Sequence, residues 1–218
     1  MRRQATNSES IIGFFDNALR TLTPKAHKSA RPMPTPQRNA AVAENEELSD
    51  SERNESISLM RVNHSGEVAA QGLYMGQQLT ARSEHVKQAM IESAAEEVDH
   101  LVWCETRIDE LGGRTSILNP LWYAGSFLIG AAAGVVSDEL SLGFVTETEK
   151  QVEGHLKSHL DRLPAKDVRS RSIVSQMMQD EAEHGQHAQN LGGEPLPRPV
   201  QSIMKGVAKV MTSTSHHF

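Results

Sequence analysis

The chain has 218 residues, which is enough for one domain with a hydrophobic core and flanking tails. Its net charge of −6 offers no general attraction for nucleic acid, so we expect no partner of that class. Cys104 is the one cysteine, which excludes an internal disulfide framework and a Cys-x-x-Cys metal motif. An aromatic content of 4% favours helices over a β-sandwich, and no apolar run is long enough to predict a simple transmembrane helix.

An amphipathic helix is predicted over residues 9–22, because apolar side chains recur there at helical spacing. It is interpreted either as a docking or membrane-surface helix or as a helix packed on the main core. We assign residues 1–23 to this N-terminal helix and residues 24–53 to a disordered linker rich in proline and acidic residues. Such a composition cannot bury enough apolar surface to become ordered.

Residues 54–218 are assigned to a single helical domain. Its four long helices are predicted over about residues 57–82, 84–111, 140–163 and 166–191. A nearly all-apolar segment, 121–136, lies between the second and the third helix. An amphipathic segment, 200–212, follows the fourth helix and carries Lys205 and Lys209.

Two of these helices carry the pattern Glu-x-x-His, formed by Glu97 with His100 and by Glu181 with His184. Residues three apart project from one face of a helix, so a carboxylate and an imidazole can converge on one metal ion. One such pair is weak evidence, because acidic residues and histidines are common on exposed helices. The positions of carboxylates on the other two helices distinguish a metal site from the alternative. In that alternative, the motifs lie on solvated helix faces and form incidental salt bridges.

The partner carboxylates are predicted to be Glu67 and Glu149. Glu67 precedes Glu97 by 30 residues, and Glu149 precedes Glu181 by 32 residues. In a continuous helix such pairs would lie about 45 Å apart, so they can meet only across an antiparallel hairpin whose turn falls near the midpoint. Both midpoints, at positions 82 and 165, coincide with turns that the sequence predicts independently.

The two halves of this pattern are related by an offset of 82 to 84 residues, and the segment between them is long enough for a crossover. The predicted fold class is all-α: a ferritin-like four-helix bundle with an apolar crossover segment and flanking amphipathic helices. Four carboxylates and two imidazoles suit iron or manganese, and four carboxylates neutralise two divalent ions. The predicted metal ligands are Glu67, Glu97, His100, Glu149, Glu181 and His184. The candidates to bridge the two ions are Glu97, Glu149 and Glu181.

Other polar residues near the motifs have weaker assignments. Asp99 and Asp180 adjoin the Glu-x-x-His pairs and are candidates to orient the ligand histidines, with exposed positions as the alternative. His155 is a candidate to border a substrate pocket or, equally, a surface histidine. Tyr74 is interpreted as a packing residue and His159 as solvent-exposed.

The run RVNHSGE at residues 61–67, followed by YMGQ at 74–77, resembles the demethoxyubiquinone hydroxylase family of coenzyme Q biosynthesis. The resemblance covers about residues 57–212 and continues through EVDHL at 97–101, NPLW at 119–122, Glu149 with His155, and DEAEH at 180–184. It implies a di-iron monooxygenase whose two iron ions (Fe2+/Fe3+) are held by the six predicted ligands. The implied reaction is ring hydroxylation of 2-polyprenyl-3-methyl-6-methoxy-1,4-benzoquinol by dioxygen. Leu156 departs from the animal relatives, which have tyrosine at this position.

A polyprenyl substrate resides in the bilayer, so the resemblance implies peripheral attachment to the cytoplasmic face of the cell membrane. Segments 121–136 and 200–212 suit such interfacial contact. The alternative for 121–136 is a buried crossover helix or a dimer surface. A homo-oligomer and other ubiquinone-biosynthesis proteins are further candidate partners. The competing functions are an iron store, which the linker and the apolar crossover argue against, and a metal-free helical scaffold.

Overall fold

The computed structural model describes residues 7–36 and 47–218, and within these ranges it contains seven α-helices and no strand. The helices are α1 (Asn7–Leu22), α2 (Asp50–Thr80), α3 (Glu84–Glu110), α4 (Asn119–Val136), α5 (Asp138–Arg162), α6 (Val168–Asn190) and α7 (Arg198–Ser215). The predicted all-α fold class is therefore confirmed.

The four-helix bundle consists of two helical hairpins, α2 with α3 and α5 with α6. Apolar side chains of all four helices meet in one buried cluster that includes Leu59, Trp103, Leu156 and Ile173. Removing this apolar surface from water is the main force that holds the bundle together.

The two hairpin turns fall where the ligand spacing requires them. Residues 81–83 join α2 to α3, and the Ser83 side chain accepts a hydrogen bond from a backbone N–H in the first turn of α3. Residues 163–167 join α5 to α6, and Asp167 caps α6 in the same way. Such caps satisfy backbone groups that the start of a helix leaves without partners. In each hairpin, the turn places the predicted ligand glutamate of the first helix at the same depth in the bundle as the Glu-x-x-His pair of the second helix.

Helix α4 is the crossover between the two hairpins and packs closely along α2. Gly76 of α2 and Gly130 of α4 permit this approach, because a Cβ atom at either position would collide with the backbone of the other helix. The opposite face of α4 exposes Leu121, Leu128 and Val135. The interpretation as a buried crossover therefore holds for one face of this helix, and its other face is open.

The flanking helices α1 and α7 lie against the outside of the bundle. Phe14, Ala18 and Leu22 of α1 pack on a small cluster that includes Leu101, whereas Phe15 of α1 is exposed. Helix α7 contacts α2 and α5. Throughout residues 7–36 and 47–218, no helix combines the length and the hydropathy needed to cross a membrane.

Two parts of the predicted linker have a conformation that its composition does not indicate. Helix α2 begins at Asp50, inside the predicted linker and before the predicted helix start at about 57, because Ser49 and Glu52 form a reciprocal capping box. Residues 24–36 form no helix but lie along the bundle, where they contact α3 and α6. Outside the described residues lie 1–6 and 37–46.

Candidate metal centre

A cluster of buried carboxylates and imidazoles lies inside the bundle, between the two hairpins. Glu67 of α2, Glu97 and His100 of α3, and Glu181 of α6 each offer one ligand atom, and these four atoms lie within 4.8 Å of one another. Each of the four residues is at most 3% exposed. Four such buried groups are costly unless they compensate one another or bind metal.

Two of the carboxylates lie between two histidines. The oxygens of Glu97 are 2.8 Å from His100 Nδ1 and 3.0 Å from His184 Nδ1. Those of Glu181 are 3.3 Å and 3.6 Å from the same two nitrogens. Each of these two carboxylates therefore faces both imidazoles, which is the arrangement that a bridging ligand needs.

The remaining two carboxylates lie on opposite sides of the shared pair. Glu67 approaches His100, with 3.9 Å between its Oε2 and the Nδ1 atom. Glu149 of α5 is 2% exposed and adjoins Glu181 and His184. The six predicted ligands thus converge in one centre with two similar halves, Glu67 with His100 and Glu149 with His184. We refer to these as the His100 half and the His184 half.

Burial and charge together determine protonation in this cluster. Burial and neighbouring carboxylates raise the pKa of Glu67 and the pKa of Glu149 well above the usual value. Burial also disfavours the charged form of Glu97, but the two imidazoles outweigh it and hold the pKa of that carboxyl below its usual value. Burial lowers the pKa of each imidazole, yet the surrounding carboxylates raise the pKa of His184 to about 12 and that of His100 well above its usual value. The cluster therefore needs positive charge, which protons or metal ions can supply.

Unpartnered atoms show that these residues fit metal ions. Within the described part of the chain, Glu97 Oε1, Glu181 Oε2 and His184 Nδ1 are buried and have no hydrogen-bond partner. His184 Nδ1 lies 3.0 Å from Glu97 Oε1, but the pair lacks the geometry of a hydrogen bond. Buried polar atoms rarely lack partners, and carboxylate and imidazole donors suit iron or manganese.

Each predicted ligand histidine has an acidic partner at its second ring nitrogen. His100 Nε2 lies 2.8 Å from Asp180 Oδ2, and His184 Nε2 lies 2.5 Å from Glu96 Oε2. Such partners fix the ring orientation of a metal-bound histidine. Asp180 therefore contacts a ligand histidine as predicted, whereas Asp99 does not and instead pairs with Arg31 of the N-terminal segment. Sequence reasoning did not assign Glu96, although Glu96 directly precedes Glu97 as Asp180 precedes Glu181, so the repeat of the two motifs could have indicated it.

Two further side chains differ from the predictions. Tyr74 is fully buried, but it does more than pack, because its hydroxyl donates a hydrogen bond to Glu149. The prediction that His159 is solvent-exposed is wrong: the residue is 1% exposed, and its Nδ1 lies 2.7 Å from Asn63 Oδ1. This face of α5 turns towards α2, which the periodicity of α5 alone does not show.

A largely apolar cavity of about 970 Å³ opens onto the metal centre. Residues of α2, α4, α5 and α7 form most of its wall. His155 lies in this wall, which agrees with its predicted place at the border of a substrate pocket and not with the alternative of a surface histidine. The acidic residues that line it are Glu147 and the four carboxylates of the centre, Glu67, Glu97, Glu149 and Glu181. Apolar side chains in its wall include Leu73, Leu121, Trp122, Ile129, Phe144 and Val207.

Comparison with known proteins places the chain in a family. A family model described as "Ubiquinone biosynthesis protein COQ7" matches residues 54–215, which include all six predicted ligands. A 3-demethoxyubiquinol 3-hydroxylase of Nitrosomonas eutropha is 54% identical over 210 residues, covering 96% of this chain and 98% of the relative. Proteins of the same name from Polynucleobacter necessarius and Cupriavidus taiwanensis are 54% and 50% identical, each over 208 residues and 95% of this chain, with 97% and 99% of the relative covered. Because the match spans both hairpins, the crossover and the metal centre, the chain belongs to the COQ7 family of ubiquinone biosynthesis proteins.

Proposed function

We propose that this protein is a 3-demethoxyubiquinol 3-hydroxylase, which uses two iron ions and dioxygen to hydroxylate the ring of a polyprenyl benzoquinol. The observation that carries the proposal is the apolar cavity of about 970 Å³ that ends at the carboxylates of the metal centre. Apolar cavities with a few convergent polar groups are typical of small-molecule sites. The names of the relatives supply the substrate, and their lengths match this chain almost completely.

The arrangement of the six ligands supports a two-ion centre. Glu67 with His100 would hold one ion and Glu149 with His184 the other, while Glu97 and Glu181, which face both imidazoles, would bridge them. Iron bound there would supply open coordination positions for dioxygen, and the two electrons that reduce the second oxygen atom to water would come from a reductant such as the quinol. The chain's own contribution is to hold the ligands in place before the substrate arrives.

The cavity supports the binding of a ring that carries a long apolar tail. A substrate that fills this cavity would displace water from around the reacting ring, which would protect the reaction from side products. His155 offers a polar contact in this wall, since its Nε2 is buried and has no partner among the described residues. Burial and the charge of Arg162 lower the pKa of His155, so its neutral ring can hydrogen-bond a quinol hydroxyl.

We also propose attachment to the cytoplasmic face of the cell membrane, which would give such a substrate a direct route into the cavity. Helices α4 and α7 border the cavity. Apolar side chains are exposed on these two helices and on α1, including Ile12, Phe15, Leu19, Leu121, Leu128, Val135, Ile203, Val207 and Val210. Lys205 and Lys209 lie on α7 among them, which suits contact with anionic headgroups. In this proposal the exposed apolar faces lie in the headgroup region, and the quinol passes between α4 and α7.

The proposal is tested with purified protein that has been loaded with ferrous iron and supplied with a reductant and a reduced demethoxy-quinol in detergent micelles under labelled dioxygen. We expect one labelled oxygen atom in the hydroxylated product by mass spectrometry, and about two iron ions per chain by elemental analysis. Glu149→Ala should abolish the product, and it should fail to rescue a deletion strain that accumulates the demethoxy-quinone.

The matched control is Glu153→Ala, which removes an exposed glutamate one turn further along the same helix. This variant should keep wild-type activity. Product formation at the wild-type rate by metal-depleted protein would contradict the proposed function.

A further inference from the structure

An arginine from outside the bundle reaches the back of the metal centre. Arg31 lies in the segment 24–36, which precedes the residues that match the family model. Its Nε is 2.7 Å from Asp99 Oδ2, and its Nη2 is 2.9 Å from Asp180 Oδ2. One guanidinium therefore joins an aspartate of α3 to an aspartate of α6, from opposite hairpins of the bundle.

Several contacts fix the position of this guanidinium. The backbone N–H of Ala30 donates to Asp99 Oδ1 at 2.6 Å, which anchors the segment beside the side chain. The guanidinium carbon lies 4.9 Å from the ring centroid of Trp103, within the range of a cation–π contact. The Arg31 side chain is 40% exposed, whereas that of Asp99 is 4% exposed. The planar fork of arginine suits this two-sided contact, and a lysine cannot reproduce it.

Asp180 transmits the position of Arg31 to a predicted metal ligand. Its Oδ2 faces both Arg31 Nη2, at 2.9 Å, and His100 Nε2, at 2.8 Å. Its Oδ1 accepts a hydrogen bond from Gln176 at 2.9 Å. The other nitrogen of His100 faces the carboxylates of the centre, including Glu97 at 2.8 Å. A continuous line of polar contacts thus runs from the N-terminal segment to the ligand cluster.

We propose that Arg31 is a positioning residue for the metal centre: it holds Asp180 in the orientation that fixes His100, and its positive charge offsets that of Asp180. The proposal rests on the proposed function, since it takes His100 to be an iron ligand. An acidic partner behind a ligand histidine raises the basicity of the ring and thereby favours the oxidised metal. The positive charge of Arg31 weakens this effect of Asp180. Loss of Arg31 should therefore leave His100 less firmly oriented and should stabilise the oxidised state of the iron.

The test compares Arg31→Gln with the wild type in iron-loaded, full-length protein. We expect iron release from the reduced protein to ferrozine to be about tenfold faster, at the lower end of the effect of losing partners behind metal ligands. We also expect a lower reduction midpoint potential, because a positive charge near the iron has been removed. Arg31→Lys should keep the midpoint potential closer to that of the wild type while releasing iron faster, since it retains the charge but not the fork.

Lys25→Gln is the matched control. Lys25 lies on the same segment and forms an exposed ion pair with Asp109, with 2.7 Å between Nζ and Oδ2. This variant should match the wild type in both measurements. Wild-type release and potential in Arg31→Gln, or the same changes in Lys25→Gln, would overturn the role of Arg31. Failure of the wild-type protein to bind iron would instead contradict the proposed function.

Discussion

The two halves of the metal centre have similar ligands but different support. His100 is fully buried, and behind it Asp180, with an 11% exposed side chain, is held by Arg31 and Gln176. His184 is 7% exposed, and the side chain of its partner Glu96 is 58% exposed. Water can replace a partner at the surface, whereas a buried group that loses its partner carries the full cost of desolvation. Similar sets of candidate ligands therefore need not bind a metal ion equally tightly.

The difference follows from where each partner is attached. Asp180 precedes the ligand Glu181 on α6 and meets His100 of α3 inside the bundle. Glu96 precedes the ligand Glu97 on α3 and meets His184 of α6 at the bundle surface. The Asp180–His100 contact and the Glu96–His184 contact occupy equivalent positions in the two halves. The segment 24–36 covers only the Asp180–His100 contact. We therefore expect the His100 half to be the more rigid of the two.

The largest effect is expected from Glu97→Ala, which breaks both halves at once. Glu97 faces His100 and His184, so its loss removes a ligand that neither half can replace. Hydroxylation should fall by at least about a hundredfold, the upper end of the effect of losing residues that only support ligands. Product formation is measured by mass spectrometry, with circular dichroism to show that the helices persist. Activity within tenfold of the wild type would contradict a shared ligand at this position.

A smaller effect, which separates the halves, is expected from comparing Asp180→Ala with Glu96→Ala. Asp180→Ala should accelerate iron release to a chelator by about ten- to a hundredfold. Glu96→Ala should change the rate by no more than about threefold, because water can take the place of an exposed partner. Stopped-flow chelation resolves the two rates. Equal effects in the two variants would remove the proposed difference between the halves.

The smallest effect is expected from Tyr74→Phe, which acts on the His184 half alone. The Tyr74 hydroxyl donates to Glu149, and both residues are buried. Its loss leaves a buried carboxyl with one partner fewer, so the free energy of unfolding should fall by about 1 kcal/mol. Urea titration of the iron-free protein measures the change. Tyr123→Phe, which removes the hydrogen bond to Asn17 outside the metal centre, is the control for losing a tyrosine hydroxyl.

Much of the centre could be predicted from spacing alone. The Glu-x-x-His pairs lie within single helices, where the helical repeat determines which side chains share a face. The antiparallel pairing followed from Glu67 and Glu149, because the turn residues coincide with the midpoints. The predicted end of α5, at about residue 163, also agrees closely with the observed end at Arg162.

Contacts between residues far apart in the sequence were less predictable than the metal ligands. His159 carries no apolar signature, yet it is buried because α5 turns that face towards Asn63 of α2. The segment 24–36 has the composition of a linker, yet Arg31 finds two carboxylates that lie far from it in sequence. Composition reports whether a segment can fold alone, and it does not report which surface elsewhere in the chain can bind it.

The sequence by itself determined the identity of the six candidate ligands and the order of the four bundle helices, because both depend on spacing along single helices and on turn residues. Only the tertiary structure decided which acidic residue stands behind each histidine, that Arg31 reaches one half and not the other, and that the cavity ends at the carboxylates. These contacts join residues far apart in the chain, and they depend on how packing rotates each helix against its neighbours.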